Sequence, residues 1–193
     1  MEALAHLRHL IAALDEAVVD SLCVRAQRRL NESLYAVPDA PAPALQALAG
    51  QFAEAPTLAG RIHLLRTAYP LQMLPVLCDP GHDKGQPACL SADGACLDAI
   101  AHRLALSVHV ATRKREAIPQ ALQDAVRAGD PAQVERAITH PAVEEDVLAR
   151  VQALAAARAP HSEIPARVAA IYAGWIIPLS RKIQVHGLLA SPA

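Results

Sequence analysis

Between Ala3 and Tyr35 the chain has neither glycine nor proline, and Leu4, Leu7, Ile11, Leu14, Val18 and Leu22 recur at steps of three and four residues. That spacing puts them on one side of a helix, whereas a half-buried strand would alternate every second residue. Composition points the same way. Alanine (42) and leucine (25) make up about a third of the 193 residues, and both are strong helix formers. No stretch alternates for long, so the expected fold class is all-α, a helical bundle. The length suits one domain over 1–193 with room for a substantial core.

Proline and glycine set the expected boundaries. Pro38, Pro41 and Pro43 break the first helix, and Ala44 to Ala53 reads as a short one. Ile62 to Cys78 is apolar and interrupted by Pro70 and Pro75. Asp79 to Gly94 is dense in Gly, Pro and Asp and reads as the loop between two halves. A second long helix is expected from Ala95 to about Ala117, with Leu97, Ile100, Leu104 and Val108 on one face. A short helix lies between Pro119 and Gly129, and Asp130 caps another over Pro131 to Ile138. Thr139-His140-Pro141 opens a helix to about Ala159, and its early Glu144, Glu145 and Asp146 suit a helix N-terminus. The last helix starts at Ile164 or Pro165, runs to Leu189, and is expected to kink at Pro178.

Several function classes drop out. The balance of 18 basic against 19 acidic residues, net −1, argues against a nucleic-acid or membrane-surface binder. No apolar run is long enough to span a membrane, and the charged N-terminus lacks a signal-peptide core, so a cytoplasmic location is expected. Cys23, Cys78, Cys89 and Cys96 have no CxxC spacing. A Cys89–Cys96 bridge around an SADG turn is conceivable, but reduced thiols are the expectation. His6 and His9 lack partner ligands, so no metal site is expected. There is no glycine-rich phosphate loop, and no nucleophile–base pair is evident.

What remains is charge on stripes that should be apolar. Arg8 lies on the 4-8-11-15-18-22 face of the first helix. Arg103 and Lys114 are eleven residues apart, close to three turns, with Ser107 and Val110 between them on the same face. Glu144 heads the 144-148-151-155 stripe, and Ser180 and Gln184 continue the line of Ile177 and Leu188. Lysine is scarce, 3 against 15 arginines, which draws notice to Lys114. Each residue alone would pass for a solvated edge or a snorkelling chain. Together, cations with one carboxylate and an amide from four helices describe a pocket for a compact anion with more than one negative group.

The sequence resembles the all-helical chorismate mutases, nearest the eukaryotic type. Leu7 to Tyr35 (LRHLIAALDEAVVDSLCVRAQRRLNESLY) is similar to their opening helix, and Cys96 to Lys114 to the central active-site helix. Ile138 to Val151 (ITHPAVEEDVLARV) resembles the segment carrying the substrate-binding Glu, and Ile171 to Leu189 the C-terminal signature; Arg61 to Leu77 has a plausible counterpart. The resemblance implies the cofactor-free rearrangement of chorismate to prephenate, on the branch to phenylalanine and tyrosine. By position, Arg8 and Arg103 would bind the two carboxylates, and Lys114 a carboxylate and the ether oxygen. Gln184 would donate to that oxygen, Glu144 would accept from the ring hydroxyl, and Ser180 stands where the family has Thr. His140 replaces an Asn or Asp beside the substrate, and would either meet the hydroxyl region or cap its helix.

Two departures carry expectations. Gln184 stands where eukaryotic members have Glu; an amide donates at ordinary pH, so no acid-biased optimum is expected. The effector-binding insertion after the first helix is short, without its Arg pair, and Gln86-Pro87-Ala88-Cys89 replaces a Gly-Ser loop. Control by Trp or Tyr is therefore not expected. A homodimer is the expected assembly, although the family's dimer contacts involve the shortened region. Other readings are an enzyme of isochorismate or aminodeoxychorismate, a non-catalytic helical interaction module, and an exported mutase that has lost its signal peptide.

Overall fold

The computed structural model describes residues 2–35, 43–116 and 120–190, the side chains of 2–5 and 8 aside, and every regular element among them is helical. Helix α1 (Glu2–Ala26) lies along α5 (Gln86–Glu116), and α5 in turn packs on α10 (Ile177–Ala190). Helix α2 (Leu45–Glu54) covers α10. Helix α8 (Pro141–Arg158) packs on α1 and on α9 (Ile164–Ile171). Helices α6 (Gln120–Ala128) and α7 (Pro131–Ile138) form a small pair, and α7 leans on α10. The main core gathers Val18 and Leu22 of α1, Ile100 and Leu104 of α5, Val151 of α8, and Tyr172, Leu179 and Ile183 near the C-terminus. A second cluster joins Ala111, Leu122, Val134, Ile138, Val185 and Leu188.

The first helix stops at Ala26, short of the proline cluster, and a single 3-10 turn (Glu32–Leu34) follows. The reason is Arg25. Fully buried, it turns its guanidinium onto the carbonyls of Arg28, Arg29 and Leu30, which a continuing helix would have used itself. Its remaining donors go to Asp93 at 2.6 Å, the Cys78 sulfur and the Tyr35 hydroxyl. Asp93 is also buried and accepts from Tyr35 and Tyr69. Every member of this network has a partner, the condition for tolerating charge in a core. Asn31 completes the turn in the left-handed region (φ 56°) and receives the Asp83 backbone N–H.

The expected loop Asp79–Gly94 is a second correction. Helix α5 starts at Gln86, so the SADG segment and Gly94 are helical and the connection is about half as long. Three glycine or proline residues within 80–85 mark the loop correctly, but Gly94 does not extend it. Cys89 and Cys96 are thus seven residues apart on one helix, about 10 Å by helical rise, too far for a disulfide. All four cysteines are free and buried. Pro38, Pro41 and Pro119 lie outside the described residues.

Two prolines are accommodated in the same way. Helix α3 (Leu58–Ala68) passes through a π turn (Tyr69–Met73) into α4 (Leu74–Leu77), which holds Pro75. Helix α9 passes through a π turn (Tyr172–Ile176) into α10, which holds Pro178. A proline removes one N–H and crowds the carbonyl four residues back; in each case that carbonyl falls in the wider turn. The expected kink at Pro178 is therefore a π turn just before it. Asp130 caps α7, accepting from the N–H groups of Ala132 and Gln133, as its position implies.

Candidate active site

Helix α5 presents Arg103, Ser107 and Lys114 on one face, α10 brings Ser180, Arg181 and Gln184, α8 opens with Glu144, and α1 contributes Asp15. Asp15 is fully buried. One of its oxygens accepts from Arg103 Nε at 2.7 Å and from the Tyr172 hydroxyl at 3.1 Å, the other from Arg150 at 2.6 Å. Burial and the Asp15 charge hold the Tyr172 phenol above its ordinary pKa. With Nε anchored, the two terminal nitrogens of Arg103 have no partner among the described residues and form a ready fork for a carboxylate.

One turn further along α5, Ser107 Oγ lies 2.7 Å from Ser180 Oγ, both buried. Gln184 Nε2 donates to the Ser180 carbonyl at 3.3 Å and to its hydroxyl at 3.4 Å. The Gln184 Oε1 atom is buried and has no partner among the described residues.

Lys114 reaches the carbonyl of Ile138 at 3.4 Å. Burial lowers its pKa below the ordinary lysine value, and the Glu144 charge opposes that shift. Both Glu144 oxygens accept from one Arg181 nitrogen, at 2.9 and 3.2 Å. Arg181 also pairs with Glu135 of α7 at 3.1 Å, and Lys182 meets the other Glu135 oxygen at 2.6 Å. His140 is exposed at the start of α8 and makes no side-chain cap, so the capping reading finds no support. Arg8 sits two turns before Asp15 in α1, but its side chain is outside the described residues.

The arrangement offers fixed cations, the Glu144 carboxylate beside the buried Asp15 anchor, one neutral amide and two hydroxyls, drawn from four helices. It suits an anion held in one shape while charge shifts within it. No group of three metal-ligating side chains occurs among the described residues. No helix among the described residues is long and apolar enough to cross a membrane.

Residues 91–185, which carry most of this site, match the family model for chorismate mutase type II. That segment, just under half of the chain, belongs to the family. The helical chorismate mutase fold extends beyond the matched segment: the structure superposes on the chloroplast chorismate mutase of Zea mays with a TM-score of 0.78, at 22% identity, covering 96% of this chain and 94% of that one. It superposes on a Candida albicans chorismate mutase in complex with L-Trp with a TM-score of 0.75, again at 22% identity, covering 96% and 90%. In sequence, chorismate mutase 2 of Arabidopsis thaliana is 30% identical over 133 residues, 61% of this chain and 50% of that protein. The chorismate mutase of Schizosaccharomyces pombe is 27% identical over 160 residues, 78% and 64% of the two chains. The matched stretch thus spans about half the length of the curated plant relatives.

Against this chorismate mutase frame, Ser180 meets Gln184, Lys114 feels Glu144, and Arg103 stands a turn from Ser107. The sequence reading did not single out Asp15, Arg150, Tyr172 or Arg181. Asp15 could have been found, because it occupies the same apolar stripe of α1 as Arg8. Arg181 could have been found as the basic residue directly after Ser180. Arg150 and Tyr172 give no local signal, since only the packing of α8 and the second π turn on α1 brings them to Asp15.

Proposed function

We propose that this chain is a chorismate mutase that converts chorismate to prephenate without a cofactor. The observation that carries this is Arg103, anchored through Nε on buried Asp15 with its terminal fork uncommitted, on the same helix face as Lys114. In this reading Arg8 and Arg103 hold the two carboxylates, and Glu144 accepts from the ring hydroxyl, with His140 beside it. Lys114 and Gln184 approach the ether oxygen from opposite sides, and Ser180 lines the site. The reaction is intramolecular. The protein's tasks are to hold the compact reactive conformer and to stabilise negative charge on the ether oxygen as its bond to the ring breaks. Arg181 holds the Glu144 carboxylate in place, donating to its two oxygens at 2.9 and 3.2 Å from one nitrogen.

The enzyme acts as one domain, as a homodimer in the cytoplasm, and without effector control. The span from Tyr35 to Gly60 contains no arginine, which supports insensitivity to aromatic amino acids. Relatives of known structure differ here: the Candida albicans enzyme was solved with L-Trp, and an Arabidopsis mutase with phenylalanine in an allosteric site. The test follows chorismate loss and prephenate formation with purified wild type and Lys114→Ala. The substitution is expected to cost about 3 kcal/mol of transition-state stabilisation, more than a hundredfold in rate. A wild type that forms no prephenate, or an unimpaired Lys114→Ala, would overturn the reading. Adding Trp or Tyr is expected to leave the rate unchanged.

A further inference from the structure

Ser107 belongs to none of the roles above, yet it sits in the middle of the site with 1% of its surface exposed. Its hydroxyl makes a 2.7 Å bond to Ser180, the shortest contact Ser180 has. Gln184 holds the same hydroxyl only at 3.4 Å and the Ser180 carbonyl at 3.3 Å, beyond the usual range for such bonds. Gln184 also leaves its own Oε1 buried without a partner among the described residues, a state that costs free energy until the amide turns to something else.

These distances rank the competitors. Were Gln184 the only partner of the Ser180 hydroxyl, turning the amide toward a ligand would strand a buried hydroxyl. With Ser107 in place it does not: the short Ser107–Ser180 bond persists, and the amide gives up two long contacts. We propose that Ser107 is a positioning residue, which by holding the Ser180 hydroxyl leaves the Gln184 amide free to turn onto the substrate. The inference rests on the mutase reading for its kinetic consequence, but its structural half stands without it.

The test is a kinetic cycle together with a spectroscopic measurement. In Ser107→Ala, kcat is expected to fall about tenfold with KM within twofold, because the amide is then retained by Ser180. In a Gln184→Ala background, the same Ser107→Ala change is expected to cost less than twofold, since no amide remains to be released. A merely structural role would lower kcat equally in both backgrounds. Thermal melts of each variant report the fold separately. In 15N spectra, the Gln184 side-chain NH2 signals, assigned by their loss in Gln184→Ala, are expected to shift and to exchange more slowly with water in Ser107→Ala. An unshifted amide, an unchanged kcat, or a loss that persists without Gln184 would overturn the proposal. If wild type forms no prephenate, the mutase reading fails, and the amide signals still decide whether Ser107 governs Gln184.

Discussion

Substituting Asp15 by alanine isolates the anchor of the site. Two arginines and a tyrosine share this fully buried carboxylate, but they do not depend on it equally. The Arg103 side chain is 7% exposed and has nowhere else to put its charge. Arg150 is 40% exposed and can turn to water. Removing one member of a buried pair costs about 3–5 kcal/mol, whereas a partly exposed pair is worth about 1 kcal/mol or less. We therefore expect Asp15→Ala to cost about 4 kcal/mol, nearly all of it from stranding Arg103. Arg103→Met leaves Asp15 with Arg150 and Tyr172, and is expected to cost only about 1–2 kcal/mol. The double variant has no stranded charge and should be more stable than Asp15→Ala alone. Urea denaturation followed by the single tryptophan, Trp175, measures all four proteins. With a slope of about 2 kcal/mol/M, the Asp15→Ala midpoint should fall by about 2 M. The reasoning is refuted if the two single effects add within about 0.5 kcal/mol in the double variant, or if Arg103→Met is the more damaging change.

Further outcomes follow from the same geometry. Because burial depresses the Lys114 pKa from 10.5, kcat/KM should decline at alkaline pH with a midpoint below that value, in a pH–rate profile. In the interval between the folded and unfolded pKa the unfolded chain holds the extra proton, so stability should rise with pH there, and Lys114→Met should abolish that rise. Wild-type kcat/KM is expected to be flat from about pH 5 to 8, whereas Gln184→Glu should fall more than roughly tenfold across that range, since a carboxyl donates only when protonated. Arg25→Met leaves buried Asp93 facing only two tyrosines, and should cost about 3–5 kcal/mol in urea while the rate per folded molecule stays within twofold. Burial pushes the Cys78 thiol up to about 12 and the Cys96 thiol to about 11, so thiol reagents should label the native protein slowly and reductant should not change its Tm.

Much of this was legible in the chain because helices declare themselves through spacing. Asp130 and Pro131 announced α7 by local chemistry, and the Arg103–Lys114 step placed both cations on one face. What escaped was non-local. Nothing around Ala26 says that α1 ends there, because the terminator is a buried arginine whose counter-charge, Asp93, stands 68 residues away. Gly94 misled for a related reason: a helix packed along α1 tolerates one glycine, since tertiary burial outweighs a propensity difference of about 1 kcal/mol. The same holds for the site. Charged residues on apolar stripes were visible, but which would anchor and which would bind depended on the partners that packing supplied. Asp15 became an anchor only once α5, α8 and Tyr172 closed around it.

The π turn before Pro178 sets more than a bend. A helix winds about 100° per residue, so one residue more or fewer upstream swings everything downstream around the axis by that angle. Tyr172 lies at one end of the turn and points its hydroxyl at Asp15, while Ser180 and Gln184 lie beyond it and face α5. Both halves reach their partners because the wide turn supplies the phase difference between them. Deleting Gly174 alone would leave every named side chain in the sequence and a regular helix in place of the bulge. It would also rotate Gln184 and Ser180 about a quarter turn away from Ser107. The orientation of this candidate face is in this sense a matter of counting, kept in phase by a glycine at which a Cβ would meet nothing within 4 Å.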